Sequence, residues 1–489
     1  MTLLDTVVVF VVMALVTWLG HALSGSIRDR RGFFEAGGTL PWWAVSASII
    51  ATLVSSVTFI SVPAAVFRDG GNLTYFQVIL GLAAGKFFIA WLMARPYYLS
   101  RGISTTYEYI GARIDPATGE LSMALGLILS VINSGVKLLT ASLVLDVITG
   151  WGLPVCGLVV VGFSVLWSTL AGIKTVIWTD FLLFVLFAAG AIFALIFTAL
   201  QIEASPAEAF YYLDERAKLV LFDFSTDPTV RYTIWSAVLG AIALSIALTS
   251  TQGTWQRVRA CRSVGDAYRA YNYSALFYVM HLFILAIGLV LALFYAENPL
   301  PTGVQDALVT SPDRIFPHFI VTEIPTGVSG LFIAAIFAAA ISTLDSALAE
   351  NSDVSVRHIY ERWMRRHASE RHYLLASRVA VLVWALIFWG VSLFFSRYSA
   401  EGLLDLTFKL PNYLYGALLG TVLLARFGLG TLRTWAAGFA AACGVVAWLS
   451  AYDVAFFLWC PISGGVMVGL VWALDRRRPE TTGVVLPVH

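Results

Sequence analysis

The sequence has little charge for its length. Only 12% of its 489 residues are Asp, Glu, Lys or Arg, whereas about 25% is usual in a soluble globular protein. Hydrophobic residues make up 59% of the chain, so too few polar side chains are available to cover a core of this size in water. The 31 basic and 30 acidic residues nearly cancel, which argues against a nucleic-acid-binding protein. The composition predicts a protein that lies within a membrane.

The usual motifs of enzymes and pumps are also missing. The cysteines show no paired spacing that would indicate a zinc site or a disulfide framework (Cys156, Cys261, Cys443 and Cys460). Neither a zinc-protease helix motif nor a hydrolase nucleophile elbow occurs. Residues 81–86 resemble an ATP-binding loop but are one residue short and lie in an apolar run, so packing of small residues is the better interpretation. These absences favour a carrier driven by an ion gradient over an enzyme.

Apolar stretches long enough to cross about 30 Å of hydrocarbon recur along the chain. We predict an all-α polytopic membrane protein with thirteen transmembrane helices, at residues 3–22, 41–66, 74–99, 120–149, 152–171, 175–201, 232–252, 270–296, 328–349, 374–396, 403–425, 430–450 and 454–474. With the N-terminus outside and the C-terminus in the cytoplasm, the cytoplasmic segments contain 22 Lys and Arg residues and the opposite side six. This asymmetry satisfies the positive-inside rule and predicts a multi-pass protein of the plasma (inner) membrane.

Two polar clusters lie inside the predicted spans. The second span is rich in Ser and Thr between residues 46 and 58, a composition that can support a helix interrupted in mid-membrane, with free carbonyls for a cation. An unbroken helix whose hydroxyls bond to its own carbonyls is the alternative. In the ninth span, Ser342, Asp345 and Ser346 share one helical face. Asp345 needs a partner there, which a sodium ion, a lysine or a proton would provide.

Several segments resemble the sodium/solute symporter family, which contains sodium-coupled sugar, proline, iodide, vitamin and sialic acid carriers. The segments are residues 33–43, residues 171–180 with their Trp-Thr-Asp ending, residues 252–257, and residues 319–346. In residues 55–63 and 107–113 the local sequence is closest to the bacterial sialic acid symporters.

The resemblance implies a leucine-transporter-type core of two inverted five-helix repeats, with one helix before it and two after it. Residues 1–40 would then form a peripheral helix and a cytoplasmic linker, and residues 41–201 the first repeat. Residues 202–231 would form an extracellular loop and residues 232–427 the second repeat. Residues 428–489 would form two peripheral helices and a short cytoplasmic tail.

The resemblance also implies where sodium binds. The main sodium site would use three backbone carbonyls and two hydroxyls (Ala51, Val54, Ala339, Ser342 and Thr343). Some relatives hold a further sodium near the aspartate of the Trp-Thr-Asp sequence, and here that site would consist of Asp180, Ser342, Asp345 and Ser346.

The solute chamber implied by the resemblance would be lined by hydrogen-bonding groups of Ser55, Ser56, Thr58 and Gln77. Lys137 stands next to the position where the bacterial sialic acid carriers have an arginine that holds the carboxylate. Lys409 is close to a polar contact of the sugar carriers. Two lysines near one cavity favour an anionic solute, because a cation in a low dielectric needs an opposite charge. The alternative is that these lysines pair with Asp180 or Asp345.

The sequence therefore predicts a transporter and not an enzyme. It would couple sodium, the co-transported ion, to uptake of a small polar organic solute by alternating access, with the bilayer and the solute as partners and no nucleic acid. A carboxylate or sugar acid such as sialic acid is the expected solute. A sodium-coupled neutral sugar symporter, or a proton-coupled symporter that uses Asp180 or Asp345, is the alternative.

Overall fold

The structure is a computed structural model that describes residues 2–24, 38–53, 55–100, 102–170, 173–397 and 403–475. Apart from an isolated parallel bridge between Leu40 and Cys261, its regular structure is helical. In chain order, the helices of the first half are α1 (Leu3–Ser24), α2 (Trp42–Leu53), α3 (Ser56–Phe67), α4 (Leu73–Leu99), α5 (Thr106–Arg113), α6 (Pro116–Thr149), α7 (Leu153–Leu170), α8 (Ile173–Ala199) and α9 (Pro206–Glu215). Those of the second half are α10 (Ile234–Leu248), α11 (Gln252–Ala260), α12 (Val264–Glu297), α13 (Thr302–Thr310), α14 (Ile315–Thr322), α15 (Val328–Met364), α16 (Glu370–Phe395), α17 (Leu403–Phe427), α18 (Leu432–Ala451) and α19 (Phe456–Asp475).

The helices confirm a multi-pass membrane protein. Within the described ranges, eight helices are long and apolar enough to cross a bilayer: α4, α6, α8, α12, α15, α16, α18 and α19. The number rises to ten when each of two bent pairs, α2–α3 and α10–α11, is taken as one span. The other three predicted spans coincide with α1, α7 and α17. The exact number of thirteen remains a prediction.

The second predicted span is interrupted in the middle. The helix α2 ends at Leu53, α3 begins at Ser56, and their axes differ by 56°. Ser55 between them has an extended backbone, with φ −94° and ψ 178°, and Val54 lies outside the described residues. The Thr52 hydroxyl does donate to the Ser48 carbonyl at 2.9 Å, but the helix ends one residue later. The prediction of a broken helix is confirmed, and the alternative of one continuous helix is wrong.

The seventh predicted span continues beyond its expected end. Residues 253–260, which the charge pattern placed in a loop, belong to α11, whose axis is bent by 73° from that of α10. Trp255 and Arg257 in α11 are buried. The predicted end of the span at residue 252 differs from the structure because the charge of Arg257 is balanced inside the protein, where two carboxylates face it. The arginine therefore marks a buried helix and not the membrane surface.

Glycines allow α4 and α10 to pack closely. A Cβ atom at Gly81 would lie 2.4 Å from the Val238 carbonyl oxygen, and one at Gly85 would lie 2.4 Å from the Cβ of Ser245. Any larger residue would push the two helices apart. The resemblance of residues 81–86 to an ATP-binding loop is thus explained by helix packing.

The loop between α8 and α10 is fastened to the end of α3. The Lys218 ammonium donates to the carbonyls of Val66, Phe67, Arg68 and Gly71 at 2.8, 3.1, 3.1 and 3.2 Å. A cation is favoured at this position because carbonyls at the C-terminal end of a helix carry partial negative charge. Burial lowers the pKa of Lys218 from its ordinary value. The contact fixes α3, the second half of the broken helix, to the connecting loop.

Candidate ion and solute site

A cavity of about 180 Å³ lies beside the breaks in the two bent helices. Its walls come from the α2–α3 pair, α6, the α10–α11 pair, α15 and α17. Five of the predicted site residues line it: Ser55, Thr58, Lys137, Thr343 and Ser346. The structure therefore brings together polar residues that are almost 300 positions apart in the sequence.

Arg257, in α11, contacts three other helices close to the break between α2 and α3. Its Nε donates to the Ser48 Oγ at 3.1 Å, and its Nη2 donates to the Thr52 Oγ1 at 2.5 Å. The same Nη2 lies 3.6 Å from Asp180 Oδ2, and Nη1 lies 3.9 Å from Glu350 Oε1. Two carboxylates thus balance this buried guanidinium, which a low-dielectric interior requires.

Asp180 is the buried acceptor at the centre of this network. Its Oδ2 accepts a hydrogen bond from the Ser48 hydroxyl at 2.5 Å, and its Oδ1 accepts one from the Ser342 hydroxyl. These bonds connect α8 to α2 and to α15. The cation within ion-pair distance of Asp180, among the described residues, is Arg257. The alternative of an Asp180–lysine pair therefore finds no support in this geometry.

Asp345 is buried in a different way. Its Oδ1 and the Oγ of Ser346 have no hydrogen-bond partner at bonding distance in the part of the chain that the structure describes, although the Ser168 hydroxyl lies near the carboxylate. Both residues are almost fully buried, and an unsatisfied polar atom in such a position costs free energy unless an ion, a water or a proton is present. The second predicted sodium site thus divides into a satisfied half at Asp180 and an unsatisfied half at Asp345 and Ser346.

The residues of the main sodium site also divide between two spaces. Ala51, Ala339 and Ser342 line a small cavity of about 10 Å³ between α2 and α15, close to the minimum that holds one water molecule. Thr343 instead lines the larger cavity, and its hydroxyl donates to the Ala340 carbonyl at 2.9 Å. Val54 lies outside the described residues. The other residues that line this small cavity are apolar side chains of α8 and α12 (Leu183, Phe184, Phe187 and Met280). The three predicted residues therefore form one side of the space, with carbonyl and hydroxyl oxygens of the kind that a hard cation prefers.

The structure places the remaining predicted solute contacts apart from one another. The Lys137 ammonium lies in the cavity and donates to the Thr52 carbonyl at 3.4 Å. Lys409 and Gln77 are not among the cavity-lining residues, and neither is Ser56, which is buried. Only one of the two lysines expected at the solute therefore faces this cavity.

Gln77 contributes to a closed end of the molecule. Its side-chain amide donates to the Tyr232 carbonyl at 2.8 Å, and the Tyr232 ring packs edge-on against Tyr75 with centroids 5.9 Å apart. Arg231 and Asp405 form an ion pair at the same end. In the other direction, the cavity lining continues along α15 to Asn351 and Val354. The cavity thus extends toward the end of the molecule where Val354 lies.

The comparison with known proteins decides the family. The family model described as "Sodium:solute symporter family" matches residues 33–429 of the chain. The chain belongs to this family. The resemblance that the sequence motifs indicated is therefore confirmed, and with it sodium-coupled symport, with sodium as the co-transported ion.

Relatives within the family differ in what they carry. The sodium/sialic acid symporter of Proteus mirabilis is 28% identical over 389 residues, which cover 77% of this chain and 75% of that protein. The human sodium/iodide cotransporter is 25% identical over 430 residues, 86% of this chain and 65% of that protein. The solved structure of a sodium-coupled sialic acid symporter, substrate-bound and outward-open, has a TM-score of 0.84 at 24% identity and covers 98% of both chains. At this identity, the likeness of the structures shows the same fold.

Sequence reasoning missed four residues of the network: Ser48, Thr52, Arg257 and Glu350. Ser48 belongs to the hydroxyl-rich run in the second span, and Arg257 belongs to a segment that resembles the family. Glu350 is four residues beyond Ser346, so helical spacing alone places it on the face that includes Ser346. The signal was available, but Arg257 and Glu350 were placed beyond the ends of the predicted spans because a charge was taken to mark the membrane surface; residues 350–373 were expected to extend the ninth helix, as α15 does to Met364.

Proposed function

We propose that the protein couples sodium to the transport of a carboxylated sugar of the sialic acid type. The observation that carries this proposal is the position of Lys137. The two carboxylates near Arg257 balance that guanidinium, whereas no carboxylate among the described residues lies within 4.0 Å of the Lys137 ammonium. The charge of Glu350 acts on Lys137 from a longer distance, and this carboxylate also faces Arg257, so an anionic solute would supply a closer opposite charge in a site of low dielectric.

The substrates of the relatives are consistent with this choice. The Proteus mirabilis protein and the solved transporter both carry a sialic acid, which is a carboxylated sugar, and the human relative carries iodide. All three are named for an anionic solute. Ser55, Thr58, Thr343 and Ser346, which line the same cavity, would supply hydrogen bonds to the sugar hydroxyls.

The two bent helices support alternating access between inverted repeats. Each begins one of the proposed repeats, α2–α3 in residues 41–201 and α10–α11 in residues 232–427. One helix would precede these repeats and two would follow them, for thirteen spans in the plasma membrane, with the N-terminus outside and the C-terminus inside. The contact of Gln77 with Tyr232 closes the end that would face outward. The cavity would then open toward the cytoplasm.

Sodium would couple its own gradient to that of the solute by binding between α2 and α15. An ion in the small cavity lined by Ala51, Ala339 and Ser342 would join the broken helix to the long ninth span. The Asp345 and Ser346 oxygens that have no partner would hold a second ion. If sodium favours the state that binds solute, sodium and solute must raise each other's affinity by the same factor.

A flux assay tests the proposal. Proteoliposomes with the purified protein should accumulate labelled sialic acid when a sodium gradient is imposed, and replacement of sodium by choline should abolish the accumulation. Lys137→Met should raise the KM for the sialic acid about tenfold or more, since a charge-assisted contact contributes roughly 1.5–3 kcal/mol. Sodium-driven uptake of a neutral sugar in preference to the acid would contradict the choice of solute.

Proton coupling is the second candidate, because Asp345 has an oxygen that a proton could satisfy. It requires uptake that follows an imposed pH gradient in sodium-free buffer. Asp345→Asn should then abolish uptake, whereas sodium coupling through the small cavity would survive this substitution.

A further inference from the structure

A groove on the membrane-facing side of the molecule lies between α15 and α16. Its volume is about 440 Å³, and apart from Ser355, Tyr360 and His372 its lining residues are apolar. The helix α16 is mostly unpacked, because only 22% of its most apolar stretch is buried within the protein. Leu375, which lines the groove, is 60% exposed. This surface belongs to two helices that are apolar enough to span a bilayer, and it shares no lining residue with the central cavity.

One end of the groove is basic. Met364 and His372 line this end, and the exposed Arg365 and Arg366 directly follow Met364 in the sequence. Arg371, which is also exposed, directly precedes His372. Residues 361–373 contain four arginines and two glutamates, so positive charge predominates in this segment.

Aromatic side chains indicate that the basic end of the groove lies at the membrane interface. Trp363 is 71% exposed beside the groove, and exposed tryptophans are typical of the level of the lipid headgroups. The Tyr360 hydroxyl and His372 Nε2 are hydrogen-bonded at 2.8 Å within the groove. The groove therefore runs from a polar, basic mouth at the interface into an apolar interior.

We propose that this groove binds an anionic phospholipid, with its phosphate at the arginines and an acyl chain along α16. The apolar part of the α16 lining runs from Leu375 to Ile387, thirteen residues whose ends are about 18 Å apart at the helical rise. This length matches one leaflet, since half of the hydrocarbon core measures about 15 Å. Basic pockets between transmembrane helices on the cytoplasmic side are suited to anionic headgroups, and the charge pattern places residues 350–373 on that side.

The bound lipid would act on the helix that carries the site residues. The Ser352 hydroxyl donates to the Ser377 carbonyl at 2.8 Å, and the Trp384 indole donates to the Ser355 hydroxyl at 3.0 Å. These bonds hold α15 to α16 beside the groove, and Ser342 to Glu350 lie farther along the same α15. A lipid in the groove would therefore stabilise the pairing of α16 with the helix that bears Asp345. The inference does not depend on which solute is carried.

Lipid titrations of the delipidated protein in detergent test the proposal, with the melting temperature as the readout. The probes are phosphatidylglycerol, phosphatidylcholine with the same chains, and inorganic phosphate. Phosphatidylglycerol should raise the melting temperature at the lowest concentration, and phosphate alone should not raise it. The double variant Arg365→Gln with Arg366→Gln should bind phosphatidylglycerol about thirtyfold more weakly. The matched control is Arg269→Gln with Arg433→Gln, which removes the same charge from exposed positions elsewhere.

A second pair of variants tests the apolar part of the groove. Ala376→Phe fills the groove that Ala376 lines and should abolish the response to both lipids. Leu386→Phe is the control, on an exposed position of α16 outside the groove. Equal affinity for the two lipids in the unmodified protein would overturn the proposal, and so would equal affinity of the two arginine variants. An unchanged lipid response of Ala376→Phe would exclude this groove as the location.

Discussion

Asp180 and Asp345 are both buried carboxylates beside the same cluster, yet the protein supports them differently. Asp180 accepts hydrogen bonds from Ser48 and Ser342 and lies 3.6 Å from Arg257. Asp345 retains an oxygen without a partner among the described residues. A fully satisfied group holds helices together, whereas an unsatisfied one is available to an ion. We therefore infer that Asp180 is a structural carboxylate and propose that Asp345 is a binding carboxylate.

The largest effect should come from Arg257→Met, which removes the cation that lies beside the fully hydrogen-bonded Asp180. Asp180 and Glu350 would both lose the guanidinium that balances them, and removal of one partner of a buried ion pair costs about 3–5 kcal/mol. We expect a strongly lowered melting temperature and no uptake. Arg269→Met is the control, since the exposed Arg269 lies 3.6 Å from Asp266 of its own helix, and an exposed ion pair contributes little to stability. A variant at position 257 as stable as this control would show that the network does not hold the helices.

Asp180→Asn should have the next largest effect. The amide keeps the shape and one acceptor for Ser48 or Ser342, so we expect a loss of roughly 1–3 kcal/mol in stability. The same loss should occur in sodium buffer and in choline buffer, because the contacts of Asp180 are within the protein. Thermal unfolding in the two buffers at equal ionic strength measures it. A loss of stability that appears only in sodium buffer would indicate that Asp180 binds an ion and is not only structural.

Much of the fold could be predicted from the sequence, because the bilayer imposes a simple length and hydrophobicity requirement on each span. The hydroxyl-rich composition left a break near Ser55 and a continuous helix both open, and the family resemblance favoured the break that the structure has. The end of the seventh span was not, because the requirement concerns average hydrophobicity and does not indicate whether a charge such as Arg257 has a buried partner. That partner, Asp180, is 77 residues away in the sequence.

The sequence indicated which residues belong to the site, but not which of them line the same cavity. Composition and family resemblance selected Ser342, Thr343, Asp345 and Ser346, which lie on successive turns of α15. Their assignment to separate spaces depends on the helix rotation and on what α2 and α8 present to each side. Periodicity places residues on a face but does not determine which helix packs against that face. For the same reason, Lys137 and Lys409 were expected near one cavity, and only Lys137 lines it.

Asp345→Asn should affect sodium binding more than folding. In choline buffer the variant should be about as stable as the unmodified protein or slightly more stable, since a neutral amide replaces a buried carboxylate with an unsatisfied oxygen. In sodium buffer the variant should lose the part of the stabilisation that comes from the ion at Asp345, a part that grows with the logarithm of the sodium concentration. Sodium titrations of the melting temperature measure both. Equal stabilisation of the two proteins by sodium would remove Asp345 from the ion site.

Ser346→Ala should give the smallest effect. Its stability without sodium, compared with that of Ser48→Ala, distinguishes the surroundings of Asp345 from those of Asp180. The Ser346 hydroxyl has no partner in the described structure, so its removal breaks no hydrogen bond and should not lower stability in choline buffer. Sodium affinity should nevertheless fall a few-fold, because one neutral oxygen ligand is lost. Ser48→Ala should behave in the opposite way: the Asp180 and Arg257 bonds to Ser48 would be lost in either buffer. If both variants lowered stability equally without sodium, the division between a structural and a binding carboxylate would fail.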